Sequence, residues 1–321
     1  MELNLPIMHM LEDTDSILIA GAGGGFDVYA GLPIYFTLKN MGKQVHLANY
    51  SFSDPKLAGM SSTVIDILPD KLLAVRGKMN RDINYFTEGY LTDWLAKNTD
   101  YDPTMYLFPS LGIEPLAEAY QYLQRELGFD ALILVDGGVD SLTRGDEVGP
   151  GTLLEDTITL LAVEQLDIPT KVLACIGFGT EVEERLDHYA ALENMAGIIK
   201  AGGFYGTCSP TPQMTAFQQY EAACRHAWDG EKRHKSHIST RIIPAAHGEF
   251  GDFRMYESER VKRFISPLMS IYWFFDADVV ASRNLSRDVL KNTQTKDEAR
   301  DKLIDFMLHY PNRRDRKVIP Y

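Results

Sequence analysis

The chain has 321 residues, 45% of them hydrophobic and 24% charged, which fits an ordinary globular protein with one large α/β core. Its net charge of −13 argues against nucleic acid as a partner, because a general nucleic-acid binder needs a basic face. Three cysteines without metal-type spacing, a start lacking the pattern of a signal peptide, and no apolar run near the roughly 20 residues of a membrane span predict a cytoplasmic protein with no membrane partner.

In chain order, Ile17–Ala20 reads as a first buried strand, followed by a helical stretch to Gly42 and a second strand over Lys43–Ser51. Segment 54–102 is less regular and is expected to be an insertion or cap. Thr104–Ser110 reads as a strand. In the helix after it, Ile113, Leu116, Tyr120, Leu123 and Leu127 share one face, and Gly128 stands at the expected C′ position. Ala131–Gly138 and Lys171–Gly179 read as buried strands joined by a crossover helix over TLLEDTITLLAVEQL. Met214–Trp228 predicts a helix with Met214, Phe217, Cys224 and Trp228 near one stripe. HISTRIIPAA and PLMSIYWFFDAD read as late strands, and Thr295 with Glu298 forms a capping-box pair that opens a terminal helix. Continuous apolar strands alternating with helices predict a parallel sheet covered on both faces. With no internal repeat or linker, the expectation is a single α/β domain over residues 1–321. Its sheet is doubly wound and mostly parallel, with helices on both faces.

The stretch SILIAGAGGGFDVYAGLP carries the first strand into a glycine-rich loop. A dinucleotide fingerprint needs G-x-G-x-x-G and an acid about 20 residues on. Gly21 and Gly23 match, but Phe26 takes the third glycine's place. The second strand ends in Asn49, Tyr50 and Ser51, none of them acidic. An NAD(P)-dependent oxidoreductase is therefore disfavoured. Gly21, Gly23, Gly24 and Gly25 still offer backbone N–H groups to a polar or anionic ligand, beside Asp27. The alternative is a tight strand-to-helix turn with Asp27 as an N-terminal helix charge.

VDGGVDSLTRGDEVGPGTLLED follows the strand that ends at Asp136, at the carboxyl edge where open α/β sheets bind ligands. Asp136, Asp140, Asp146 and Glu147 lie close together with Arg144, and Gly137 and Gly138 permit close approach. Such a group can hold Mg2+, meet ribose hydroxyls or supply a general base. A solvated acidic loop built on Gly-Asp turns is the competing reading. Thr180 with Glu181, and Asp276 with Asp278, repeat the theme at other strand ends, where capping is an equal alternative.

Cys208 is a candidate nucleophile if a helix start lowers its pKa, and an inert cysteine otherwise. His247, in AAHGEFGDF, is the best general acid/base histidine. The basic runs DGEKRHKSH and NRRDRKVIPY are each solvated surface or an attractor for an anionic substrate.

Taken together and in this order, GAGGGFDV and VDGGVDSLTRGDE make the chain resemble the family known as domain of unknown function 1152. The matching positions are Gly21, Gly23, Gly24, Gly25, Asp27, Asp136, Gly137, Gly138, Asp140, Arg144, Gly145, Asp146 and Glu147. The resemblance implies a Rossmann-like three-layer α/β sandwich and no particular reaction. By analogy only, the acidic loop is similar to that of D-glutamate-cyclase-like proteins.

The expectation is an enzyme for a small polar metabolite bearing ribose or phosphate, of hydrolase or lyase/cyclase type. Asp136, Asp140 and His247 are the catalytic candidates, and Asp136 and Asp140 hold any metal. The glycines of both loops, Asp27, Arg144, Asp146, Glu147 and Thr180 bind the ligand. A non-catalytic sensor of a nucleotide-like ligand is the rival, and a homo-oligomer is expected on general grounds.

Overall fold

The computed structural model describes residues 6–149, 151–181, 185–229, 234–256 and 261–317. Helix α1 (Pro6–Glu12) leads into strand β1 (Ser16–Gly21), short α2 (Asp27–Ala30), α3 (Leu32–Asn40) and β2 (Gln44–Tyr50). Then come α4 (Pro55–Ser61), β3 (Thr63–Leu68), β4 (Leu72–Arg76), α5 (Thr87–Asn98) and β5 (Thr104–Phe108). The middle of the chain gives α6 (Ile113–Leu127), β6 (Ala131–Asp136), α7 (Leu154–Glu164), β7 (Thr170–Ile176) and α8 (His188–Lys200). It continues through β8 (Phe204–Cys208), α9 (Thr215–Trp228), α10 (Ser239–Ala246), β9 (Gly251–Phe253) and β10 (Arg263–Ile265). Strand β11 (Tyr272–Asp276), α11 (Ala277–Ser282), α12 (Arg287–Leu290) and α13 (Lys296–His309) complete it.

Nine strands form one sheet in the order β3-β4-β5-β2-β1-β6-β7-β11-β8, and β9 pairs with β10 apart from it. The inner five, β5-β2-β1-β6-β7, are parallel. On either side the pairing turns antiparallel. Parallel strands are wanted at the centre because crossover helices must cover both faces. Strand parity shows the covering. Ile17, Ile19, Ile133 and Val135 pack with α3, α5 and α9, whereas Leu18, Ala20, Leu132 and Leu134 pack with α6, α7 and α8. Strand β1 continues to β2 on one side while β6 lies on its other side. The winding therefore reverses between β1 and β6, and such a switch opens a crevice at the strands' carboxyl ends.

Segment 54–102, expected to be irregular, supplies α4, α5 and the β3–β4 hairpin, and β4 joins the sheet through β5. The α6 stripe is buried as its spacing predicts, and Gly128 closes the helix at φ 65°. HISTRIIPAA is not a strand. Most of it forms α10, which holds Pro244 inside it and buries Ser239 and every residue from Arg241 to Ala245. Its isoleucine pair mimics a strand, and packing overrides that preference. Met214 precedes α9 and is 49% exposed, so it does not join that helix's buried stripe. Among the described residues, no helix is long and apolar enough to cross a membrane.

Candidate functional site

The crevice at the β1/β6 switch holds a cavity of about 440 Å³. Even-numbered β6 side chains point toward the face that α7 covers, and Asp136 continues the row of Leu132 and Leu134. It therefore emerges beside Asp156, in the first turn of α7. Asp27 opens α2 after the glycine loop. One ligand atom from each of Asp27, Asp136 and Asp156 lies within 4.8 Å of the other two.

Four of the carboxylates accept from backbone N–H groups. Asp27 accepts the Gly23 N–H at 2.7 Å and a further hydrogen bond from the Gly137 backbone. Asp136 accepts the Ser141 N–H at 3.1 Å and the Ser141 hydroxyl. Asp140 accepts the N–H and hydroxyl of Thr152, both at 2.8 Å. Glu181 accepts the Val139 N–H at 2.8 Å and shares a hydrogen bond with Asp140. Asp156 is only 3% exposed, and its Oδ1 has no hydrogen-bond partner among the described residues.

Two like charges 4.8 Å apart repel by roughly 3 kcal/mol at an effective dielectric near 20. Burial, and then the charge of Asp140, push the Asp27 carboxyl up to about 8. Burial raises Asp136, Asp156 and Glu181 well above the usual carboxylate range, and Asp140 adds to each. Without a counter-charge the cluster holds protons, and a bound cation would displace them.

Glycines let the carboxylates close in. A methyl group on Gly23 would lie 2.7 Å from Asp156 Oδ2 and 2.8 Å from Asp27 Oδ2. Gly24 and Gly25 turn the loop with φ of 88° and 59°, where L side chains are strained. Three of the loop's donors are already engaged within the protein. Gly23 N–H goes to Asp27, Gly25 N–H to the Tyr50 carbonyl and Asp27 N–H to the Gly24 carbonyl. Asn49, where a dinucleotide site would carry its acid, is fully buried and donates to the Gly25 carbonyl and to Glu88.

Of the residues expected from sequence, Gly23, Gly24, Gly25, Asp27, Asp136, Gly137 and Asp140 line this cavity. The others do not. Gly21 packs against Asn49, and Gly138 against Glu181. Thr180 is buried, with its N–H on the Gly177 carbonyl. Glu147 accepts the N–H groups of Arg144 and Gly145 and pairs with Arg313 at 3.2 Å. Asp146 faces the same Arg313 at 3.5 Å. These groups brace the loop that carries Asp140. His247 is exposed at the end of α10, pairs with Glu221 at 2.8 Å and takes no part in the cavity. Burial pushes the Cys208 thiol up to about 11, the reverse of activation, and α9 begins only at Thr215. Asp276 caps α11, accepting the Val279 N–H at 3.0 Å.

Sequence reasoning missed Asp156 and Glu155, which reach the cavity from α7, and Phe52 and Tyr85, which line it from elsewhere. A usable signal existed for Asp156. Residues 157–163 of the same helix are all buried, and a carboxylate leading such a helix is rarely idle surface charge. In the DGEKRHKSH run, residues 230–233 lie outside the described residues, while His234, Lys235 and His237 line the cavity.

A family profile described as protein of unknown function (DUF1152) matches residues 77–310. The chain belongs to this family. The DUF1152 match takes in Asp136, Asp140, Asp156 and Glu181, while Asp27 and the glycine loop precede it. No curated protein and no solved structure matches the chain.

Proposed function

We propose that this DUF1152 member is a divalent-cation-dependent enzyme acting on a small metabolite that bears phosphate or ribose. The observation that carries this reading is the meeting of Asp27, Asp136 and Asp156 within 4.8 Å, at the floor of a substrate-sized cavity. Oxygen-only donors suit a hard cation such as Mg2+ or Mn2+. Six carboxylates line the cavity: Asp27, Asp136, Asp140, Glu155, Asp156 and Glu181. They would repel a bare phosphate, and a cation reverses that. Lys235, His234 and His237 on the wall also favour an anionic substrate. The hydrogen-bonded pair Asp140–Glu181 is placed to move a proton, which fits hydrolysis or lyase/cyclase chemistry.

The test is calorimetric titration of EDTA-stripped protein with Mn2+, followed by a turnover screen over phosphate- and ribose-bearing metabolites. Cation binding together with cation-dependent turnover supports the reading. Absence of cation binding to protein with an intact fold overturns it. Cation and ligand binding without turnover of any bound metabolite would mark a sensor instead.

A further inference from the structure

The cavity floor is carboxylate, but its rim is aromatic. Phe52 follows β2 at the carboxyl edge and is 42% exposed, a large apolar ring left in solvent beside an acidic site. The ring is not loose. A methyl group on Gly24 would lie 3.1 Å from its Cζ, one on Gly25 3.4 Å from its Cδ2, and Lys296 Nζ stands 4.9 Å from its centroid. Tyr85 approaches the same loop, its hydroxyl 2.9 Å from where a Gly25 Cβ would stand. The Tyr85 ring meets Phe26 nearly perpendicularly at 6.3 Å and His234 at 5.7 Å. Phe26, the residue that breaks the dinucleotide fingerprint, thus supports this second ring.

A hydrated phosphate gains nothing from the two aromatic side chains that line the cavity, and a sugar's small C–H face gains less than a flat ring does. A planar unsaturated ring gains a stacking surface and loses water from both partners. The cavity volume of about 440 Å³ falls within the range of small-molecule sites.

We propose that Phe52 and Tyr85 form a base subsite and that the substrate is a nucleotide, with its phosphate toward the Asp27–Asp136–Asp156 cation and its base on the aromatic rim. This rests on the cation reading above. The subsite is sequence-tolerant in the way stacking is, because every nucleobase has a π-face.

The test compares binding of the four nucleoside 5′-monophosphates with binding of ribose 5-phosphate to Mn2+-loaded protein. At least one nucleotide is expected to bind about tenfold or more tightly than ribose 5-phosphate, as stacking on an aromatic pair requires. Phe52→Ala and Tyr85→Leu are expected to shrink that advantage severalfold while Mn2+ affinity, measured separately, stays within twofold. The Phe52 variant removes an exposed ring, and Tyr85→Leu keeps apolar bulk, so loss of fold does not confuse the result. Equal affinity for the nucleotides and ribose 5-phosphate in the wild type overturns the base subsite and leaves the cation reading standing. An undiminished nucleotide preference in both variants also overturns it. Failure of Mn2+ to bind removes the cation reading, and with it this proposal.

Discussion

Replacing Asp156 by Asn separates a cation-binding carboxylate from a merely buried one. The side chain is 3% exposed, its Oδ1 has no partner among the described residues, and burial with the charges of Asp140 and Asp136 holds its pKa high. The amide has nearly the same shape and carries no charge, so cation-free protein should be as stable as wild type or more so. In wild type, a cation at 100 times its Kd stabilises the fold by about 2.7 kcal/mol. Over 321 residues, an unfolding entropy of about 2.1 cal/mol/K per residue turns that into a Tm rise of about 4 °C. If losing one of three carboxylates weakens binding about 100-fold, the same cation concentration leaves about 0.4 kcal/mol, a shift of less than about 1 °C. Differential scanning fluorimetry in EDTA and in saturating Mn2+ reads both quantities. An Asp156→Asn protein whose Mn2+ shift equals that of wild type would refute the reasoning. So would a variant destabilised in EDTA, which would make the ionised carboxylate a structural necessity.

The other predictions draw on the same geometry. Asp27 is pushed up to about 8, so the folded state binds more protons than the unfolded chain between the ordinary carboxylate pKa and about 8. In EDTA, stability should therefore fall as pH rises from about 4 to about 8, which denaturant titrations at several pH values would reveal. Because the cation displaces those protons, Mn2+ affinity should rise over the same interval; calorimetry showing pH-independent affinity would contradict this. Gly23→Ala places a methyl group 2.7 Å from Asp156 Oδ2, so Mn2+ binding should drop at least tenfold with the fold retained by circular dichroism. Arg313→Ala leaves the wholly buried Glu147 carboxylate without its guanidinium. Backbone and Asn194 donors remain, so unfolding in urea should show a loss of about 3 kcal/mol, the lower end for broken buried pairs.

Much of the fold was legible in the sequence because the inner strands are apolar on both faces. SILIAG and ALILVD read as buried strands, and both are buried throughout. The late part was harder. The Ile242–Ile243 pair looks like strand and packs as helix α10, a choice made by tertiary contacts and not by local preference. The site was half legible for a similar reason. Asp27, Asp136 and Asp140 could be found because a carboxylate beside a glycine at a strand's carboxyl end is conspicuous. Asp146 and Glu147 carry the same local signal, yet they point to Arg313, whose position more than 160 residues later no local pattern reveals. Phe52 and Tyr85 gave no signal, because an aromatic residue in a loop becomes a rim only once the strands are ordered.

The most direct test of the central claim is a crystal soaked in Mn2+ and measured near the manganese absorption edge. One anomalous peak is predicted among the carboxylate oxygens of Asp27, Asp136 and Asp156, weakened in crystals of Asp156→Asn soaked at the same manganese concentration. A clean map there in wild type, with manganese in excess and the carboxylates ordered above pH 8, would contradict it.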